Sequence, residues 1–363
     1  MWLQSAFRLS LFSLITLLLS SCYKLPMSPS YEGPPERPAE MDTYYSKEES
    51  YGPYTEEITK ERSAYSVKRI EIESSAGDIT IDYYFQDEPN DDLVLVFPVL
   101  GGRPVLSKYF AKYFARQGLD SAVIARVNDF KNPDNFMRLE EILRRGVVRD
   151  RIAIDFFEKE YGKKDFGTFG LSRGAINVAI SAGIDPRLKY NVMAMGGSGM
   201  VEIFRDSKER RIRKFINKVM ADRGFTEDEL FHYLETTIFT DPVNTAQFID
   251  ARDSMVIVST CDTTVPYKNG LKLRDQIGRP ETIVLYGGHR SSVFFTQFLP
   301  LLPPWSEVCI FPFDYVETEA THFLKKKFDR GTTVTTLKLL PFRILRAIPS
   351  GIATVVSYLT GNL

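Results

Sequence analysis

Gly170-Leu171-Ser172-Arg173-Gly174 is the stretch on which the reading of this chain turns. Asp165-Phe166-Gly167-Thr168-Phe169 before it reads as a short buried strand, and Ala175 to Ile180 after it reads as an apolar helix. A serine at the apex of a strand, sharp turn and helix is a nucleophile elbow. Such a turn holds the serine in a strained backbone conformation, and the flanking glycines remove the β-carbons that would collide where strand and helix meet. The bare Gly-x-Ser-x-Gly pattern arises by chance in about one chain of this length in ten. The reading therefore depends on partners elsewhere in the sequence.

A serine hydroxyl is a poor nucleophile near neutral pH and needs a base, which a third group orients. The chain has only three histidines. His232 and His322 fall in polar, helix-like stretches and read as surface residues. His289 follows the strand pattern Thr282 to Tyr286 and the turn Gly287-Gly288, so it begins a loop at a strand's carboxyl end. That end is where open parallel sheets bind ligands. An acid is expected between serine and histidine in chain order, again just past a strand. Asp262 leaves the β-branched run Met255 to Thr260, whereas Asp241, Asp250 and Asp253 precede that run and Asp275 lies in a helical pattern. Ser172, Asp262 and His289 are thus the candidate catalytic residues, each after a different predicted strand.

The reaction also needs donors for an oxyanion. One is the backbone N–H of Arg173, the residue after the nucleophile. The other is expected in the loop Pro98-Val99-Leu100-Gly101-Gly102, which follows the strand Leu93 to Phe97. Pro98 has no N–H, leaving Val99 or Leu100.

These features resemble the α/β-hydrolase superfamily over about residues 65 to 330. The resemblance rests on the loop Pro98 to Gly102, the elbow Gly170 to Gly174, Asp262 with Val265-Pro266, and Gly287-Gly288-His289. It implies a mostly parallel sheet with helices on both faces, a Ser-His-acid triad and hydrolysis of acyl bonds through an acyl-enzyme, without a cofactor. Phe97-Pro98 departs from the His-Gly that many members carry before the oxyanion donor.

The strand pattern points the same way. Val67 to Glu73 and Ile79 to Phe85 alternate like an antiparallel edge pair, while Val94 to Phe97, Ala122 to Val127, Phe166 to Phe169, Val192 to Met195, Val256 to Ser259 and Ile283 to Tyr286 are short apolar runs. Helical patterns lie between them, including Lys108 to Arg116, Leu139 to Tyr161 and Lys268 to Gln276. Alternating strands and helices predict an α/β fold with a parallel sheet. At about 200–245 the alternation gives way to charged helical sequence, read either as a small helical cap over the site or as a solvated helix pair.

The amino terminus carries its own signal. Arg8, the apolar core Leu9 to Leu19 and the small residues before Cys22 form a secretory pattern too short to span a membrane. Leu19-Ser20-Ser21-Cys22 resembles the lipobox of bacterial lipoproteins. That resemblance implies removal of residues 1–21, lipid on Cys22 and attachment to a membrane of the cell envelope, the outer one favoured by Tyr23 if the cell is Gram-negative, with the protein facing the periplasm or the surface. Residues 22–64, rich in Pro, Glu, Ser and Tyr, read as a flexible tether. Residues 331–363 form an apolar extension in which Pro341, Arg343, Arg346 and Pro349 argue against a spanning helix. It is expected to pack on the domain or to lie on a membrane surface.

Length and apolar content suit one sizeable domain with extensions. A net charge of −1 leaves no footprint for nucleic acid. Of three cysteines, Cys261 beside the candidate acid reads as a free buried thiol, and Cys309 is the only other after Cys22. No residues show metal-ligand spacing, and nothing identifies a protein partner. The expected function is an exported, lipid-anchored serine hydrolase acting on a small-molecule or lipid acyl substrate. The alternatives are an acyltransferase or peptidase of the same fold, or a non-catalytic envelope lipoprotein built on the scaffold.

Overall fold

The computed structural model describes residues 22–47, 51–88, 90–99, 105–126, 129–290 and 314–362. The strands are β1 (Cys22–Leu25), β2 (Tyr54–Arg62), β3 (Tyr65–Ile72), β4 (Ile79–Phe85), β5 (Asp92–Phe97), β6 (Ser121–Ile124), β7 (Asp165–Leu171), β8 (Leu188–Ala194), β9 (Ser254–Ser259) and β10 (Glu281–Leu285). They form one sheet in the order β1-β10-β9-β8-β7-β5-β6-β4-β3-β2. The six strands from β10 to β6 run parallel, and β4, β3, β2 and β1 are antiparallel to their neighbours.

Helices cover both faces, and the strand pleat divides their contacts. Leu93, Leu95 and Phe97 of β5 face a core shared with α3 (Leu139–Tyr161), α4 (Arg173–Ile184) and α9 (Tyr267–Gln276). Val94 and Val96 face the opposite core, shared with α2 (Val105–Arg116), α10 (Tyr315–Lys327) and α11 (Thr333–Leu359). Burial on two faces is why the central strands read as continuous apolar runs. The chain reverses into β7 at Gly162, whose φ of 64° suits glycine and ends α3.

The expectation of a flexible tether needs correction. The segment 22–64 is folded onto the domain where described. β1 pairs with β10, and β2 adds an outer strand to β3. Tyr45, which caps α1 (Ala39–Tyr44), is fully buried, and the hydroxyls of Tyr51 and Tyr54 both bond Glu160. Single aromatic rings, rather than an apolar period, secure this segment, so its polar composition concealed it. β2 is exposed throughout and carries charge, as an edge strand does.

The C-terminal extension is one helix, α11, that continues through Pro341 and Pro349. Leu339, Phe342 and Arg346 are buried against the domain, while Ile344, Ile348, Ile352 and Leu359 stand in solvent. Among the described residues this is the one helix long and apolar enough to cross a membrane. The stretch 200–245 holds α5 (Met200–Asp206), α6 (Arg210–Arg223), α7 (Glu227–Thr237) and the short α8 (Pro242–Thr245). Ile216, Val219, Leu230, Phe231 and Leu234 from these helices join Leu139, Ile176 and Ile180 of α3 and α4 in a third apolar cluster. The region is a packed helical layer, not a solvated pair.

Candidate active site

Ser172 stands between β7 and α4 with φ 55° and ψ −122°, a conformation that a non-glycine residue adopts only when its surroundings enforce it. Its N–H donates to the Ala194 carbonyl at 2.8 Å, tying the turn to β8. At the neighbouring glycines the backbones nearly touch. A β-carbon at Gly170 would lie 2.4 Å from the Gly174 backbone, and one at Gly174 would lie 2.3 Å from the Phe97 carbonyl oxygen. The elbow therefore admits only glycine on either side, and it locks against the strand that leads to the expected oxyanion loop.

His289 joins the other two candidates. Its Nε2 lies 2.9 Å from Ser172 Oγ, and its Nδ1 lies 2.6 Å from Asp262 Oδ2. An ionised carboxylate can only accept, so Nδ1 carries the proton and Nε2 is left to accept from the serine hydroxyl. The second oxygen of Asp262 accepts the backbone N–H groups of Thr264 at 2.8 Å and Val265 at 2.9 Å. Asp262 is 6% exposed and has one orientation available to it. Cys261 N–H and Ser259 Oγ both bond the Gly287 carbonyl, which fixes the acid loop to the histidine loop.

The structure brings Ser172, Asp262 and His289 together as the sequence predicts, at the carboxyl ends of β7, β9 and β10. Arg173 opens α4, so its N–H has no acceptor within the helix. Val99 lies two residues beyond β5, whereas Leu100 lies outside the described residues, as do Cys309 and the residues before Cys22. His232 is exposed on α7, as expected. His322 is not a surface residue: Nδ1 bonds Thr335 at 3.0 Å and Nε2 accepts from Arg343 at 2.9 Å, holding α10 to α11. Cys261 is a free thiol but exposed rather than buried, because the chain turns outward before Asp262. Cys22 is buried in β1 beside Tyr315, Arg346 and Glu319, and burial raises its thiol pKa.

Several residues at the site were not legible in the sequence. Lys208 N–H bonds the Thr263 carbonyl at 2.8 Å, and Glu209 pairs with Arg290 at 2.9 Å, so the turn between α5 and α6 clasps the loops that carry Asp262 and His289. Asp241 accepts from the N–H groups of Gly199, Met200 and Val243, fixing the start of α5. The guanidinium of Arg173 lies 3.6 Å from the centre of the Phe130 ring, and that of Arg126 lies 5.1 Å from Phe97. Burial and the nearby charge of Arg126 pull the pKa of Arg173 down to about 9. Long sequence separation hides such contacts.

No family model matches the chain, and no curated protein matches it. Solved structures do. Acetyl xylan esterase 1 from Thermoanaerobacterium sp. JW/SL YS485 aligns with a TM-score of 0.54 at 13% identity, covering 82% of this chain and 99% of its own. The acetyl xylan esterase from Paenibacillus sp. R4 gives 0.53 at 15%, covering 74% and 93%. The acylaminoacyl peptidase of Pyrococcus horikoshii gives 0.50 at 15%, covering 74% of this chain and 42% of its own. The chain has the α/β-hydrolase fold.

Proposed function

We propose that this protein is a serine hydrolase that cleaves a carboxylic ester through an acyl-enzyme on Ser172. The observation that carries the reading is His289, bridged at 2.9 Å to Ser172 Oγ and at 2.6 Å to Asp262. His289 Nε2 takes the hydroxyl proton as Ser172 Oγ bonds to the acyl carbon, and the carbonyl oxygen becomes an oxyanion held by the N–H of Arg173 and that of Val99 or Leu100. The imidazolium, stabilised by Asp262, then gives its proton to the departing alkoxide. Water, deprotonated by the same nitrogen, attacks the ester on Ser172 and releases the acid. The names of the acetyl xylan esterases similar in fold agree with an ester as the substrate. The test is labelling by a fluorophosphonate and turnover of p-nitrophenyl esters of graded chain length. Both are expected in the wild type and absent in Ser172→Ala.

The second part of the reading is location. The lipobox Leu19 to Cys22 supports an exported protein anchored by lipid on Cys22 in the cell envelope. The burial of Cys22 stands against it, since a lipidated sulfur requires the first residue of β1 to turn out from beneath α10 and α11. The apolar outer face of α11, packed beside β1, supports a membrane as neighbour. Intact mass of protein extracted from membranes decides the question. Loss of residues 1–21 with a diacylglyceryl mass on Cys22 is expected, and an unmodified Cys22 sinks the anchor.

A further inference from the structure

Between α3 and α4, with Arg173 of the elbow in its wall, lies a cavity of about 30 Å³ lined also by Arg126, Arg145, Arg149, Asp150 and Asn177. That volume holds about two water molecules, or a carboxylate in their place. Its charges do not balance. Arg126 bonds Asp150 at 2.6 Å and Arg145 bonds Asp129 at 3.0 Å. Arg149 hydrogen-bonds the Asp78 carbonyl and feels the Asp150 and Asp78 carboxylates only at longer range, and Arg173 meets only the face of Phe130 among the described residues. Among the described residues the four guanidinium groups outnumber the carboxylates Asp129, Asp150 and Asp78 around them. Among the described residues, two buried donors there, Asn177 Nδ2 and Arg126 Nε, and one buried acceptor, Asp150 Oδ1, have no hydrogen-bond partner, so donors outnumber acceptors. Buried donors without acceptors are costly to the fold, and a cluster of them facing unpaired cations fits an absent anion.

Arg173 joins the cavity to the elbow. Arg173 follows Ser172 directly, and Arg126 lies over Phe97, whose carbonyl abuts Gly174 and whose next residues open the loop that includes Val99. We propose that this cavity is a subsite for an anionic group of the substrate, so that the enzyme prefers esters bearing a carboxylate near the scissile bond. Arg173 and Arg126 receive that carboxylate, with Asn177 donating to it. The assignment rests on the hydrolase reading for its catalytic meaning but not for binding.

The test uses the full chain in detergent with two pairs of probes. Monoethyl glutarate is compared with ethyl pentanoate for an anion on the acyl side, and butyryloxyacetate with ethyl butyrate for an anion on the alcohol side. The wild type is expected to favour one anionic member in kcat/KM by about tenfold or more, and Arg126→Gln and Arg173→Gln to collapse that ratio towards unity. Calorimetric binding of glutarate against glutaramide to Ser172→Ala reads the subsite without catalysis, and fluorophosphonate labelling of each arginine variant shows that its site is folded. Turnover of neutral esters with no anionic preference, together with no selective glutarate binding, overturns the subsite and leaves the hydrolase standing. Selective glutarate binding that the arginine changes abolish, with no turnover of any ester, keeps the subsite and sinks the hydrolase.

Discussion

Gly174 Cα sits so close to Phe97 that an added β-carbon would meet the Phe97 carbonyl oxygen at 2.3 Å. The obstacle is backbone in a fully buried strand, which cannot swing aside as a side chain would. Gly174→Ala should therefore push α4 and β5 apart, costing about 1–3 kcal/mol in a denaturant titration. It should also shift the loop after β5 relative to Ser172 and lower kcat more than tenfold. Unchanged turnover in a destabilised variant would mean that the elbow does not position the oxyanion loop.

The triad should behave as one unit. Ser172→Ala and His289→Ala are each expected to reduce kcat by about 10³-fold or more, and the double variant to be no worse than either. Asp262→Asn keeps the shape but donates where the carboxylate accepts, favouring the wrong imidazole tautomer, so a loss approaching that scale is expected. Ser172→Gly adds a separate readout. It removes both the nucleophile and the strain of φ 55°, so it should be inactive yet more stable by about 1–2 kcal/mol. Stability at or below that of Ser172→Ala would show that the turn is not strained.

The triad and the central sheet were legible because each depends on local patterns: a strand of apolar residues, a glycine or aspartate at its end, and a fixed order along the chain. Leu139–Tyr161 was readable to the residue because its apolar face is periodic and Gly162 ends it. β1 and β2 were not, since Cys22–Leu25 is too short to show a period and Tyr54–Arg62 is an exposed edge of charged residues. α11 was obscured by prolines that its exposed side tolerates. Arg126, Arg173 and the Glu209–Arg290 clasp acquire meaning only from tertiary placement, which no local pattern encodes.

His322 should make the docking of α11 sensitive to acid. Burial, then the charge of Arg343, lowers its pKa from the ordinary imidazole value, although Glu319 and Glu281 act in the opposite sense and Lys24 in the same one. A depressed histidine is neutral in the folded chain while the unfolded chain takes up a proton, so stability falls as pH drops through the ordinary range near 6.5. Protonation would also end the hydrogen bond that Arg343 donates to Nε2. Between pH 7 and 5 the wild type should lose more thermal stability than His322→Asn. Parallel melting curves for the two proteins would remove His322 from the account.

The outer face of α11 should bind membranes independently of any lipid on Cys22. Val334, Leu337, Leu340, Ile344, Ile348, Ile352, Val355 and Leu359 recur every three or four residues, and each is about half exposed or more. The helix has no acidic residue to oppose an anionic bilayer, while Lys338 and Arg346 pair with Asp314 and Glu319 of the domain. It packs against β1, the strand that begins at Cys22. A chain beginning at residue 22 with Cys22→Ser should sediment with vesicles of phosphatidylethanolamine and phosphatidylglycerol. Ile348→Glu with Ile352→Glu should abolish sedimentation while ester turnover in solution persists, because neither side chain is buried in the fold. If that variant instead unfolds, tryptic exposure of α11 in the unmutated chain with and without vesicles gives the same answer, since protection by lipid is required. Sedimentation that ignores both glutamates would assign the face to another occupant, such as the apolar amino-terminal segment of the same chain.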